Sequence, residues 1–174
     1  MDRRELFGFL GAVTAAPVCG AVASAAHDDK AEKHGGPMSA PHFHFCGIHM
    51  AKNNPKLQFI TQHYCAAHTG GSEGDVFQCT LFDGTGKNAK LIGVEYLISD
   101  AAYRKLPDAE KKYWHAHTYE VLGGGLIAPA MSEKEETDFM KVVMTLWGKA
   151  WHTWPDPSTP IPTGEPLLIW SLMG

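Results

Sequence analysis

A cationic excess is the first thing this sequence lacks. Its 15 Lys and Arg stand against 19 Asp and Glu, a formal net charge of -4. It therefore carries no positive field with which to neutralise phosphates, and a nucleic-acid partner is excluded as its main business. Long apolar runs are missing too, except near the amino terminus, so no other stretch reaches the roughly twenty residues of a membrane helix. No phosphate-binding loop and no Gly-x-Gly-x-x-Gly turn opening a helix occurs, which removes P-loop and dinucleotide chemistry. Cysteine is scarce, with four residues, whereas histidine is plentiful, with ten.

The amino terminus reads as a targeting signal. Arg3 and Arg4, followed by Glu5, Leu6 and Phe7, precede a weakly apolar run rich in small residues, the pattern of a twin-arginine signal peptide over residues 1–25. The small-x-small site Ala23-Ser24-Ala25 predicts cleavage after Ala25. The expected route is the twin-arginine export machinery, which carries folded chains, and the expected destination is the periplasm of a bacterial cell envelope. That space is oxidising, so thiols pair there. Cys46, Cys65 and Cys79 remain after cleavage, an odd number whose pairing the sequence leaves open. Residues 26–41 are polar with Gly-Gly-Pro punctuation and too little apolar material to offset their ordering entropy, so they read as a flexible spacer. Residues 42–174 then form a single domain.

Within that domain the apolar pattern alternates. Runs starting at Phe43 and Leu57, then Val76–Phe82 and Ala89–Ile98, predict strands, the last two joined as a hairpin through Asp83–Gly86. Ser99 and Asp100 cap a short helix to Leu106, and Pro107 opens another to Trp114. His115–Val121 is expected to be extended. Ser132 and Glu135 form a capping box ahead of a helix whose apolar stripe is Phe139, Val142, Val143, Leu146 and Trp147, with Gly148 as its left-handed stop. A Pro-rich loop leads to a final strand, Leu167–Met173. The fold class this predicts is α+β, a mainly antiparallel sheet with two or three helices packed on it.

The sharpest chemical signal is His115-Ala116-His117. On extended backbone, side chains two apart share a face about 7 Å apart at the backbone, which lets two imidazoles converge on one ion. Glu120 follows as a carboxylate able to serve as ligand, base or partner to an imidazole, and it is the candidate catalytic group. His63 and Cys65 repeat the spacing, and His49 ends the preceding strand. His49, His63, His115 and His117 are thus the candidate metal ligands, a set suited to a transition metal such as zinc or copper. His42 and His44 share the spacing but adjoin the spacer. His27 and His34 read as solvated tail residues, and His152 between Trp151 and Trp154 as a packed or hydrogen-bonded imidazole. Glu133, Glu135 and Glu136 fall in a first helical turn, where they favour the dipole.

Several of these segments together resemble the oil-body-associated protein family. They are His63-Tyr64-Cys65, Gln78-Cys79, Leu91 to Tyr96, Leu106-Pro107, Trp114 to Val121 and His152-Thr153-Trp154. The resemblance covers about residues 42–174 and carries over to His49, His63, Cys65, His115, His117, Glu120 and His152. Plant members are linked to seed lipid bodies, but the family implies no agreed metal or reaction. From the residue chemistry the expected function is that of an exported, histidine-based transition-metal-binding protein or metalloenzyme. The alternative is a binding module for a lipid or other small apolar ligand with no metal, in which the five tryptophans line a pocket.

Overall fold

The computed structural model describes residues 43–69 and 75–171, all within the compact unit Ala40–Gly174. The signal segment, the spacer with His27 and His34, His42, and the end of the final strand lie outside the described residues.

Among the described residues, eight strands and four helices follow the order β1 (Phe43–Ala51), β2 (Asn54–Thr69), β3 (Asp75–Phe82), β4 (Leu91–Ser99), α1 (Asp100–Lys105), α2 (Asp108–Lys111), β5 (His115–Ala116), α3 (Thr118–Leu122), β6 (Leu126–Ile127), α4 (Glu133–Val143), β7 (Leu146–His152) and β8 (Leu167–Ser171). The six longer strands pair antiparallel in the order β1-β2-β3-β4-β7-β8, and β8 pairs back onto β1. The sheet is therefore a closed barrel, not an open layer with helices packed on it. The physical reason lies in β1, which is paired along both edges, with β2 on one side and β6 and β8 on the other. A closed sheet has no free edge among these strands and buries its own inner face, so it needs no helical cover.

Alternation sorts side chains to the inside. β1 buries Phe45, Gly47, His49 and Ala51, and β7 buries Leu146, Gly148, Ala150 and His152. Barrel diameter grows with strand number and eight strands already give an interior just filled by side chains. Six strands leave less room, and glycine and alanine at alternate inward positions make space for imidazoles.

One seam is incomplete. β8 meets β7 only over Ala150–His152 and β1 only over His49–Ala51. The remaining edges are taken by a short insertion: β5 pairs with β7 through His115 and Ala116, and β6 pairs with β1 through Gly47 and Cys46. Ser171 at the end of β8 donates its hydroxyl to the Ala116 carbonyl, 3.1 Å away. The segment from β5 to β6 thus acts as a plug between β1 and β7.

The helices differ from expectation in detail. The capping box holds, with the Ser132 amide donating to Glu135 Oε2 at 3.0 Å. However, α4 ends at Val143; Leu146, Trp147 and Gly148 belong to β7, Val142 is exposed, and Gly148 is not left-handed. α4 seats its apolar side against the barrel interior, Phe139 stacking on Phe43 and Phe45 at 5.0 and 5.1 Å. The expected strand His115–Val121 breaks after Ala116 and continues as α3.

Cys65 and Cys79 face each other across β2 and β3 and form a disulfide, leaving Cys46 as a half-buried thiol. The bridge closes a loop with sequence separation 14, for which chain-entropy reasoning assigns about 3 kcal/mol. A Cys65→Ala/Cys79→Ala variant is expected to lose stability of that order with its strand content retained, read as a lower denaturant midpoint under non-reducing conditions. An unchanged midpoint contradicts a stabilising role for the bridge.

Candidate metal centre

The barrel interior converges on a carboxylate that sequence reasoning did not single out. In β4 the outward residues Val94 and Tyr96 are exposed and apolar or aromatic, while Glu95 between them points inward and is buried. This reversal of polarity on an alternating strand was the available signal. Four imidazoles surround Glu95. Its Oε2 lies 3.2 Å from His63 Nε2 and 3.8 Å from His49 Nε2; its Oε1 lies 3.4 Å from the Nε2 atoms of both His115 and His117. All four predicted histidines are therefore brought together. His49 and His63 come from the neighbouring strands β1 and β2, and His115 and His117 from the plug.

Two ligands bound tetrahedrally at about 2.1 Å lie roughly 3.4 Å apart, so these separations could accommodate an ion among the donors. They fall into two triads, His49–His63–Glu95 and Glu95–His115–His117, each with its donor atoms within 4.8 Å of one another. The break of β5 into α3 adds a further group. One helical turn returns Glu120 to the site, with Oε1 3.5 Å from His117 Nε2. None of the four histidines, Glu95, Glu120 or His152 is more than 4% exposed. The gap among them is a cavity of ≈ 10 Å³, about the room of one water centre.

The hydrogen bonds set the imidazole tautomers. His117 Nδ1 donates to the Leu146 carbonyl at 3.1 Å, because a carbonyl can only accept. Its Nε2 then presents a lone pair to two carboxylates, an arrangement that only a proton or a metal cation relieves. His49 Nδ1 lies 3.0 Å from His152 Nε2, behind the site, so His152 is a hydrogen-bonded imidazole that orients a neighbour. Both ring nitrogens of His115 and Oε1 of Glu95 have no hydrogen-bond partner, which is costly for buried polar atoms and leaves donor atoms that a cation could satisfy.

Electrostatics follow from burial and these contacts. Burial works to raise Glu95, but the facing imidazoles of His115, His117 and His63 hold it well below the usual carboxylate range. Burial lowers His49 and His115, and takes His152 to about 4. Burial works to lower His117 as well, yet the Glu120 and Glu95 carboxylates win and hold it at about 9. Glu120 is pushed up to about 8 by burial.

A glycine makes the convergence sterically feasible. A Cβ on Gly148 falls 2.2 Å from Glu95 Oε1, 2.7 Å from His117 Cε1 and 2.9 Å from His115 Nε2. Other sequence candidates lie elsewhere. His44 stacks on Tyr64 at 4.7 Å and bonds Gln62 on the outward side of β1, and His68 is exposed. Cys65 shares the inward face with His63 but is committed to the disulfide.

Residues 36–174 match the family described as "Protein of unknown function (DUF1264)". The chain is 39% identical over 134 residues to oil body-associated protein 1A of Zea mays, covering 76% of this chain and 55% of that protein. It is 34% identical over 134 residues to oil body-associated protein 1B of Arabidopsis thaliana, covering 76% and 54%, and 33% identical over 137 residues to oil body-associated protein 2A of Zea mays, covering 76% and 52%. The chain thus spans about half the length of these relatives. No solved structure matches it.

The shifts fix the pH response of the metal-free protein. His49, His115 and His152 titrate in the folded state below their ordinary 6.5, so the unfolded chain binds more protons as pH falls, and stability drops below about pH 6.5. Glu120 and His117 are raised, to about 8 and about 9, so their contribution is lost as pH rises through those values. Three groups outweigh Glu120 on the acid side. The melting temperature of the metal-free protein is expected to peak near pH 6.5 and fall on both sides; a flat profile from pH 7 to 4.5 contradicts this account.

Proposed function

The chain belongs to the DUF1264 family and is related to the oil body-associated proteins, and from that premise and the geometry of the centre we propose that it is a transition-metal-binding protein. His49, His63, His115 and His117 are the nitrogen ligands and Glu95 is the carboxylate ligand. The observation that carries this reading is the convergence of four Nε2 atoms, from three separate stretches of chain, on one buried carboxylate at 3.2–3.8 Å. Imidazole and carboxylate donors suit zinc and copper, among the divalent first-row metals. Such an ion supplies Lewis acidity or, for copper, electron exchange. Glu120, with Oε1 3.5 Å from His117 Nε2, is the carboxylate beside the centre, as a further ligand or as the acid–base group of a metalloenzyme.

The disulfide between Cys65 and Cys79 and the twin-arginine pattern both support export to an oxidising compartment, the bacterial periplasm, in a folded and metal-loaded state. The lipid-binding alternative draws on the association with oil bodies that the relatives are named for. Against an internal lipid site stands the cavity of ≈ 10 Å³ at the centre, which admits no acyl chain.

Elemental analysis of the purified full-length protein tests the proposal. We expect tightly held metal in the native protein, loss of at least half of it in His115→Ala/His117→Ala, and loss of more than nine-tenths in Glu95→Gln, which removes the carboxylate shared by both donor triads. Gly148→Ala is expected to lose metal as severely, because the new methyl group occupies the place of Glu95 Oε1. A folded native protein that holds no zinc, copper or other transition metal, and co-purifies with a lipid, overturns the proposal in favour of the alternative.

A further inference from the structure

Resting on the metal-binding reading above, we propose that the centre is dinuclear, with Glu95 bridging two metal ions through its two oxygens. Glu95 does not present both oxygens to one set of ligands. Oε2 faces His49 and His63, and Oε1 faces His115 and His117. The donors form two triads that have Glu95 in common and do not merge into one group of five. Ligands of a single ion at about 2.1 Å are at most about 4.2 Å apart, so a mononuclear site would gather all four imidazoles into one such set. A carboxylate that turns one oxygen to each of two histidine pairs is instead the geometry of a bridge.

Each half has its own support. On the first side, the Nε2 atoms of His49 and His63 lie 2.8 Å apart and share a hydrogen bond in the metal-free protein, so both nitrogens are aimed at the point where an ion would replace the shared proton. His152 receives His49 Nδ1–H when His49 Nε2 ligates, which fixes the ring. On the second side, the Leu146 carbonyl fixes the His117 tautomer with Nε2 inward, and Glu120 stands 3.5 Å from that nitrogen as a further oxygen donor. The halves are therefore inequivalent. The ion at His115 and His117 sits nearer to two carboxylates and the ion at His49 and His63 nearer to one. Charge agrees with two ions: buried Glu95 and Glu120 offset part of the charge of a cation pair, and neutral imidazoles supply the other donors without adding charge.

Stripped full-length protein is titrated with Cu(II), desalted over a weak chelating resin to remove loosely held ions, and examined by elemental analysis and electron paramagnetic resonance. Two ions per chain are expected, coupled through the carboxylate, with a half-field transition and an integrated spin below two per chain. His49→Gln and His117→Gln are each expected to retain one ion and to convert the spectrum to that of an isolated Cu(II). Circular dichroism establishes that each variant is folded, and His63→Gln and His115→Gln replace any that is not. One ion per chain in the native protein, or two ions with independent spectra, overturns the dinuclear assignment while leaving metal binding intact. No retained ion overturns the metal-binding reading itself.

Discussion

The burial of one negative charge, that of Glu95, governs the arrangement of this barrel. An isolated carboxylate in a dry interior is costly and either takes up a proton or acquires compensating partners. Here the partners are four imidazole nitrogens, and each imposes a demand on its own segment. His49 and His63 must occupy inward positions on adjacent strands, which the antiparallel register of β1 and β2 provides. His115 and His117 must enter from the side, which requires a gap in the barrel wall and a short segment to fill it.

Space is the second constraint and it acts through residues with no chemistry of their own. Gly148 lies under the Glu95 carboxylate and between the two plug histidines. Gly47 does the same beneath Leu126 and His63, where a Cβ falls 2.8 Å from Leu126 Cδ1. The aromatic stack of Phe139 on Phe43 and Phe45 and the inward disulfide at Cys79, which lines the cavity, surround the polar centre with an apolar lining. That lining lowers the local dielectric and strengthens the interactions inside it.

Much of this was legible in the sequence, and the failures have physical causes. The strands β1 to β4, the Ser99 cap of α1 and the Ser132–Glu135 box follow from alternation and capping chemistry, both local signals. His115 and His117 are legible because i, i+2 spacing on extended chain has a direct geometric meaning, whereas His49 enters only as the end of the preceding strand and His63 through a pairing with Cys65 that the disulfide takes up. Closure was not legible, since alternation tells which face is buried but not which strand β1 pairs with on its second edge. The helical periodicity running through Phe139, Val143 and Leu146 concealed the change to strand after Val143, because a short stretch of apolar residues satisfies both periods. Glu95 was passed over within the stretch that carried the family resemblance. Its meaning depends on the opposing residues of β1, β2 and the plug, which no local pattern reports.

The plug between β1 and β7 has a kinetic consequence. It contributes two of the four imidazoles and also fills the gap in the wall between β1 and β7. For a cation held there, release would be coupled to detachment of the segment that supplies half of its imidazoles, a local opening of the kind that sets hydrogen-exchange rates. Affinity and exchange rate are thereby tied to one short piece of chain.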